Sequence, residues 1–145
     1  MKETELYSAE AEQGILGAIL IKPGIVPRVS GLVRPEDFYR QAHKVTFQIM
    51  QEMALQGESV DLVNLVERLR RAGMLEKVGG VAYVTQLGNV EATAAGVDGY
   101  CQTVKDYSRR RQLVALARQA MGEACDMGKR FEDAESSLQA AFMKG

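Results

Sequence analysis

Apolar residues recur along this chain at intervals of three and four, the spacing that places side chains on one face of an α-helix. The clearest stripe has spacings of 4, 3, 4 and 4 and consists of Phe38, Ala42, Val45, Ile49 and Met53. Similar stripes occupy most of the remaining sequence. The pattern predicts an all-α fold, in which a small multi-helix globular head is followed by an αα-hairpin.

Capping and breaking residues divide the pattern into seven predicted helices. Ser8 and Asp61 are good N-caps, while Gly57, Gly73 and Gly128 are placed to end helices. The expected helices cover approximately residues 8–20, 26–32, 36–56, 61–73, 81–87, 97–127 and 131–143.

A loop of small residues at 89–96 predicts the boundary between a globular head, residues 1–95, and a hairpin, residues 96–145. The first hairpin helix carries apolar residues on more than one side, and the short returning helix cannot cover them all. Uncovered apolar stripes usually mark interfaces. We therefore expect self-association through the hairpin, with Tyr107, Leu113, Leu116, Ala120, Leu138 and Phe142 as candidate contacts.

Composition narrows the class of protein. The 145 residues are 46% apolar and 26% charged, with a formal net charge of −1, which is ordinary for a soluble globular protein. This balance gives little support to duplex DNA binding, which relies on basic surfaces. No apolar run approaches the roughly 20 residues of a membrane span. The first residues lack the apolar segment of a signal peptide, so we expect a cytoplasmic protein without membrane contact.

Catalytic and metal-binding patterns are sparse. His43 is the single histidine, and we expect it at the edge of its helix, hydrogen-bonded or solvated. The two cysteines, Cys101 and Cys125, fall on one predicted helix roughly 36 Å apart, so they are expected to be free thiols. The Gly128-Lys129 pair lacks the flanking residues of a phosphate-binding loop. We expect no catalytic, cofactor-binding or metal-binding residue and no enzyme activity.

Acidic residues in this sequence cluster near predicted helix starts, where they interact favourably with helix dipoles. Those with this expected role are Glu10, Glu12, Glu36, Asp37, Asp61, Glu132 and Asp133.

One basic cluster is present and consists of Lys105, Arg109, Arg110 and Arg111. Its positive charges have three interpretations. They can form a solvated helix face with local pairing to Asp106, a contact for an acidic partner, or a site for single-stranded nucleic acid with Tyr100 and Tyr107 as stacking partners.

Several segments, in order and spacing, resemble the N-terminal domain of DnaB-type replicative helicases across about residues 8–143. The first is Ser8-Ala9-Glu10-Ala11-Glu12-Gln13 followed by Ile15-Leu16-Gly17, and the second is Asp37-Phe38-Tyr39 followed by His43. The third runs from Gly57 to Asp61, then Leu69, Gly73-Met74-Leu75-Glu76 and Gly79-Gly80-Val81-Ala82-Tyr83.

This resemblance implies a non-catalytic domain that assembles a hexameric helicase and recruits primase. In that family, hairpins pair into a trimer of dimers, the collar docks the helicase-binding domain of primase, and a helicase loader is a further candidate partner. ATP and Mg would belong to a separate motor domain of an ATP-dependent 5'-3' DNA helicase, which we expect this chain to lack because it stops at Gly145.

Two alternatives are also compatible with the sequence. The chain could be a stand-alone phage or plasmid protein that loads or regulates a helicase by imitating the collar. It could also be a single-strand nucleic-acid-binding helical module. A cytoplasmic protein of bacterial or phage origin is expected on either of the first two interpretations.

Overall fold

A computed structural model describes residues 6–144 and confirms the predicted all-α class, since that part of the chain contains helices and no strand. The α-helices are α1 (Ala9–Ile21), α2 (Val26–Ser30), α3 (Gln41–Leu55), α4 (Leu62–Arg71), α5 (Gly80–Leu87), α6 (Val97–Cys125) and α7 (Phe131–Lys144). Two short 3-10 turns, Pro23–Ile25 and Pro35–Asp37, precede α2 and α3. No helix among these residues is both long enough and apolar enough to cross a bilayer.

The chain divides into two compact units. The head is Tyr7–Tyr107, and the described part of the hairpin unit is residues 108–144 together with Leu6. This boundary differs from the expected one at residues 95 and 96, because the first turns of α6 belong to the head. Val97, Cys101 and Val104 are buried in the head core, where α6 presents one residue per turn.

The core of the head forms around α1, which is buried on nearly every side. Ser8 caps this helix as predicted, because its hydroxyl oxygen accepts a hydrogen bond from the Ala11 amide at 3.1 Å. Gly14 lets the helix approach α6 closely. A Cβ atom at that position would lie only 3.0 Å from the ring of Tyr100, so a larger residue would push the two helices apart.

The expected start of α3 near Glu36 and Asp37 is wrong, because the helix begins at Gln41. Phe38 and Arg40 have extended backbones, which separate the 3-10 turn from the helix. Asp37 closes that turn by accepting a hydrogen bond from the Arg34 amide at 2.8 Å. The carboxylate therefore stabilises a turn that stands before the helix.

The buried face of α3 is also rotated from the predicted stripe. Ile49 and Met53 are buried as expected, whereas Ala42 and Val45 are only half-buried. The helix instead buries His43, Thr46, Phe47, Ile49, Met50 and Met53. Phe38 lies before the start of α3 and is also fully buried, with its ring centroid 5.1 Å from that of Phe47.

Helix α4 has both predicted end signals. Asp61 accepts a hydrogen bond from the Asn64 amide at 2.8 Å and caps the helix. At the other end Gly73 has a φ of +69°, the left-handed conformation that glycine adopts without strain. The Met74 amide then donates to the Leu69 carbonyl at 2.9 Å, which completes a Schellman motif.

Candidate self-association surface on the helical hairpin

The turn of the hairpin unit is held by short-range polar contacts. The Asp126 side chain accepts a hydrogen bond from the Gly128 amide at 3.0 Å, and the Lys129 ammonium donates to Glu123. That bond to Glu123 raises the pKa of Lys129. α7 begins with Glu132 and Asp133, whose charges favour the positive end of the helix dipole.

Burial in the hairpin unit is very small. Ala134 is the only hydrophobic residue of 108–144 among the buried residues of the described chain, and Ser108 is the only buried polar one. Six large hydrophobic side chains of this unit are exposed instead: Leu113, Met121, Met127, Phe131, Phe142 and Met143. An apolar surface of this extent is typical of an interface.

Part of this apolar surface forms a groove between α6 and α7 with a volume of about 630 Å³. It is lined by Leu113, Leu116, Ala117, Ala120, Leu138, Gln139, Phe142 and Met143. Gln139 is its single polar residue. We call this the apolar groove. Small alanines on α6 next to large leucines give a concave surface that fits the side chains of another helix.

A second groove, with a volume of about 650 Å³, has a more polar lining. It is lined by Arg109, Gln112, Leu113, Ala115, Leu116, Gln119, Ala141 and Phe142. We call this the mixed groove. An α-helix has 3.6 residues per turn. Gln112, Ala115 and Gln119 therefore lie on a different side of α6 from the two alanines of the apolar groove, Ala117 and Ala120. The two grooves share Leu113, Leu116 and Phe142.

Five of the six residues predicted for self-association therefore come together in the structure. Leu113, Leu116, Ala120, Leu138 and Phe142 all line the apolar groove. Tyr107 lines neither groove and is the last residue of the head unit. The assignment of these residues to self-association remains a prediction.

The predicted basic cluster is divided between different contacts. Lys105 donates to the buried Asp37 carboxylate at 2.9 Å, within the head. Arg111 donates to the Leu6 carbonyl at 2.6 Å. Arg109 lines the mixed groove, and Arg110 is exposed. The cluster therefore does not present four equivalent cations, and Arg109 is the member best placed to meet a ligand in a groove.

The head contains a buried polar network that was not among the expectations drawn from the sequence. Glu12 lies in the first turn of α1, as predicted, but it is only 1% exposed and also makes contacts that its place in the sequence did not indicate. Its carboxylate accepts hydrogen bonds from the amides of Tyr39 at 2.7 Å and Arg40 at 3.3 Å. Arg40, the N-cap residue of α3, makes no side-chain capping bond. The Glu12 carboxylate of α1 therefore takes the place of a capping side chain at the start of α3.

His43 links this carboxylate to α5. Its Nδ1 atom lies 2.7 Å from Glu12 Oε1, and its Nε2 atom lies 2.6 Å from the Tyr83 hydroxyl. Gln13 also donates to that hydroxyl at 3.2 Å. His43 is fully buried, so the expectation of a solvated side chain is wrong, and the alternative of a hydrogen-bonded side chain is confirmed. The network joins three helices of the head.

The two cysteines are free thiols, as predicted, and differ in environment. Cys101 is buried and Cys125 is exposed. Burial raises the pKa of the Cys101 thiol to about 11, and the nearby Asp98 carboxylate adds to the shift. Within residues 6–144 no group of three His, Cys, Asp or Glu side chains is placed to hold a metal ion.

Comparison with known proteins adds independent information. Residues 4–106 match the family described as the DnaB-like helicase N terminal domain. The replicative DNA helicase DnaB of Geobacillus stearothermophilus is 41% identical over 110 residues, which cover 76% of this chain and 24% of that helicase. The replicative DNA helicase DnaC of Bacillus subtilis (strain 168) is 33% identical over 135 residues, covering 93% of this chain and 30% of that protein. The chain thus spans less than a third of the length of these relatives.

Solved structures are similar over most of the chain. The N-terminal domain of DnaB helicase from Mycobacterium tuberculosis has a TM-score of 0.87 at 27% identity, covering 96% of this chain and 98% of that one. A DnaB-like replicative helicase, described with its interactions with primase, has a TM-score of 0.74 at 28% identity. That match covers 92% of this chain and 31% of the helicase.

Proposed function

This chain belongs to the family of DnaB-like helicase N-terminal domains, and we propose that it is the non-catalytic assembly domain of a hexameric replicative DNA helicase. The observation that carries the proposal is the hairpin unit, whose apolar side chains lie in an open groove instead of a core. Burying a large aliphatic or aromatic side chain contributes about 1.5–3 kcal/mol. An assembly partner is the simplest source of that burial.

The proposed partner for the apolar groove is the hairpin of a second copy. Leu113, Leu116, Ala120, Leu138 and Phe142 would meet the same residues of the other chain, since an interface between two identical subunits is usually isologous. Tyr107 stays a predicted self-association contact. Dimers of this kind would build the trimer of dimers expected of the family.

The mixed groove is the proposed site for a second, acidic partner. Arg109 lies at this groove beside the amides of Gln112 and Gln119, and its lining contains no carboxylate. A carboxylate placed there would find a guanidinium ion and amide donors. We assign this contact to the helicase-binding domain of primase, in line with the similar helicase described with its primase interactions. A helicase loader is a further candidate for the same surface.

In this proposal, ATP and Mg bind to the motor domain of the parent ATP-dependent 5'-3' DNA helicase. Residues 6–144 would contribute assembly and recruitment, with no cofactor of their own and at most weak contact with DNA. The parent helicase would act in the bacterial cytoplasm.

The test of the pairing surface is a charge placed in the apolar groove. Leu116→Glu should weaken dimerisation by a factor of about 30 or more, because the carboxylate would be buried without a partner. Met127→Glu is the matched control, since Met127 is 92% exposed in the same unit and does not line the groove. Sedimentation equilibrium measures both. Equal dimer affinity in the two variants would refute the assigned groove.

The test of the mixed groove uses the purified helicase-binding domain of a bacterial primase as the probe. Arg109→Glu should weaken its binding about tenfold by repelling an acidic contact, without changing self-association. Arg70→Glu is the control, because Arg70 is a similarly exposed arginine on the head. Isothermal titration calorimetry reports the affinity. A loss with Arg70→Glu and none with Arg109→Glu would place the acidic contact on the head.

A further inference from the structure

We propose that the hairpin unit folds only when it pairs with a second copy, so that folding and assembly of residues 108–144 are a single coupled step. The inference rests on the self-association proposed above and adds a regulatory property to it. A chain that has not assembled would keep a folded head and an unfolded or frayed hairpin.

Burial is the first argument. A helix pair in water is stabilised mainly by the packing of its apolar faces, and ordering its backbone has an entropic cost at every residue. In the hairpin unit Ala134 is the one buried hydrophobic residue among those described. One buried alanine, with a few half-buried side chains such as Leu116 and Leu138, contributes too little to offset the ordering of 108–144. The missing burial must therefore come from outside the unit.

Helix length is the second argument. α7 has 14 residues, a length at which isolated helices are marginal even with favourable sequences. At its N-terminal end the structure places an exposed charge contact, Arg130 with Glu132 at 3.6 Å. Exposed ion pairs of this kind contribute little to stability. Local interactions thus leave α7 dependent on the apolar contacts of Leu138 and Phe142, which line the open grooves.

Gly122 is the third argument. It lies inside α6, and a Cβ atom added there would meet nothing within 4 Å. No close approach or positive φ requires a glycine at this position. Glycine in a helix interior disfavours the helical state about fivefold relative to alanine. The sequence therefore lowers the stability of the unpaired hairpin without any steric benefit to the folded one.

Hydrogen exchange at two concentrations, combined with sedimentation on the same samples, tests the proposal. The full chain would be compared between a dilute sample, about 1 µM or lower until sedimentation shows monomers, and a concentrated sample of about 300 µM. We expect amides of residues 110–144 to exchange at least tenfold faster in the dilute sample, while buried head amides keep their protection.

The possible results separate the two proposals. Sedimentation could show monomers in the dilute sample and dimers in the concentrated one, with hairpin amides equally protected in both. That result would overturn coupled folding and leave the proposed pairing surface intact. Monomers at every concentration would overturn the proposed self-association, and coupled folding with it.

Gly122→Ala gives a second, independent readout, because Gly122 lines neither groove. Coupled folding predicts a dimer dissociation constant about 25-fold lower, from a factor of about five in each of two hairpins. Gly99→Ala is the matched control, since Gly99 is equally open but lies in the head part of α6. A hairpin already folded in the monomer would gain the same stability in both states, so an unchanged dissociation constant for Gly122→Ala would contradict the proposal.

Discussion

The head and the hairpin unit are built from the same kind of amphipathic helix, yet they differ sharply in how they bury apolar side chains. In the head, twenty-four hydrophobic residues are buried, and in residues 108–144 only Ala134 is. The hairpin instead holds six of the eleven large hydrophobic residues that are exposed in the described chain. The head is therefore stabilised by its own core, whereas the hairpin has apolar faces without a core.

The same difference in burial is found between the first and the later turns of helix α6. Its first turns bury Val97, Cys101 and Val104 in the head. Its later turns carry Leu113 and Leu116 at similar helical spacing, but these side chains line open grooves. Helical periodicity therefore identifies an apolar face and does not tell whether the chain itself or another molecule covers it.

The largest expected effect comes from truncating matched aromatic residues in the two regions. Phe47→Ala should destabilise the head by about 3–5 kcal/mol, because Phe47 is fully buried beside Phe38. Phe142→Ala should leave head stability within about 0.5 kcal/mol and weaken self-association. Chemical denaturation followed by circular dichroism measures the first effect, and sedimentation the second. Similar losses of head stability in both variants would break the comparison.

A smaller effect is expected from the buried network of the head. Glu12→Gln should cost about 2 kcal/mol, because the amide nitrogen would face donors that the carboxylate now satisfies. Glu10→Gln is the matched control two residues away, where the side chain is exposed and should contribute less than about 0.5 kcal/mol. Equal unfolding midpoints for the two variants would show that the network adds no stability.

The smallest effect is a pH dependence that separates the two thiols. Burial raises the pKa of Cys101 from 9.0 to about 11, so the native chain keeps its thiol proton while the unfolded chain loses it above pH 9. Stability should therefore fall as pH rises from 9 to 11, by about 1 kcal/mol at pH 10.

Cys101→Ala should remove that component of the alkaline loss, and Cys125→Ala should not, because Cys125 is exposed in the hairpin. Urea denaturation of both variants and the parent chain at pH 8 and pH 10 gives the comparison. The same alkaline loss in Cys101→Ala would assign it to other groups.

Local signals in the sequence predicted much of this fold. The all-α class is confirmed, and the caps at Ser8 and Asp61 and the stop at Gly73 act as their residue types indicate. These features depend on hydrogen bonds between residues only a few positions apart. Such interactions can be inferred from residue order alone.

The wrong predictions concern contacts between residues that are far apart in the sequence. α3 starts at Gln41 because the Glu12 carboxylate of α1 accepts hydrogen bonds from the amides just before the helix. Glu12 and Tyr39, which form one of these bonds, are 27 positions apart in the sequence. One signal was available, since Glu12 precedes the buried Ile15, Leu16 and Ile19 at helical spacing. His43 likewise precedes the buried Phe47 and Met50 on one face of α3. A polar residue on an apolar face predicts a buried network, although its partners follow only from the fold.

The candidate site was predictable in part for the same reason. Leu113, Leu116, Ala120, Leu138 and Phe142 were recognised as surplus apolar residues, and they line one groove. The basic cluster was not resolved into its separate contacts, because the pairing of Lys105 with Asp37 depends on tertiary structure. Residue spacing thus indicated the apolar surface better than the charged one.

The central claim is that the hairpin takes its missing core from another copy of the chain. Its most direct test is the solution mass of the full chain by light scattering from about 10 to 300 µM. The account predicts a mass that rises with concentration to at least that of a dimer, twice 15.9 kDa. A mass that stays at 15.9 kDa over the whole range would contradict it.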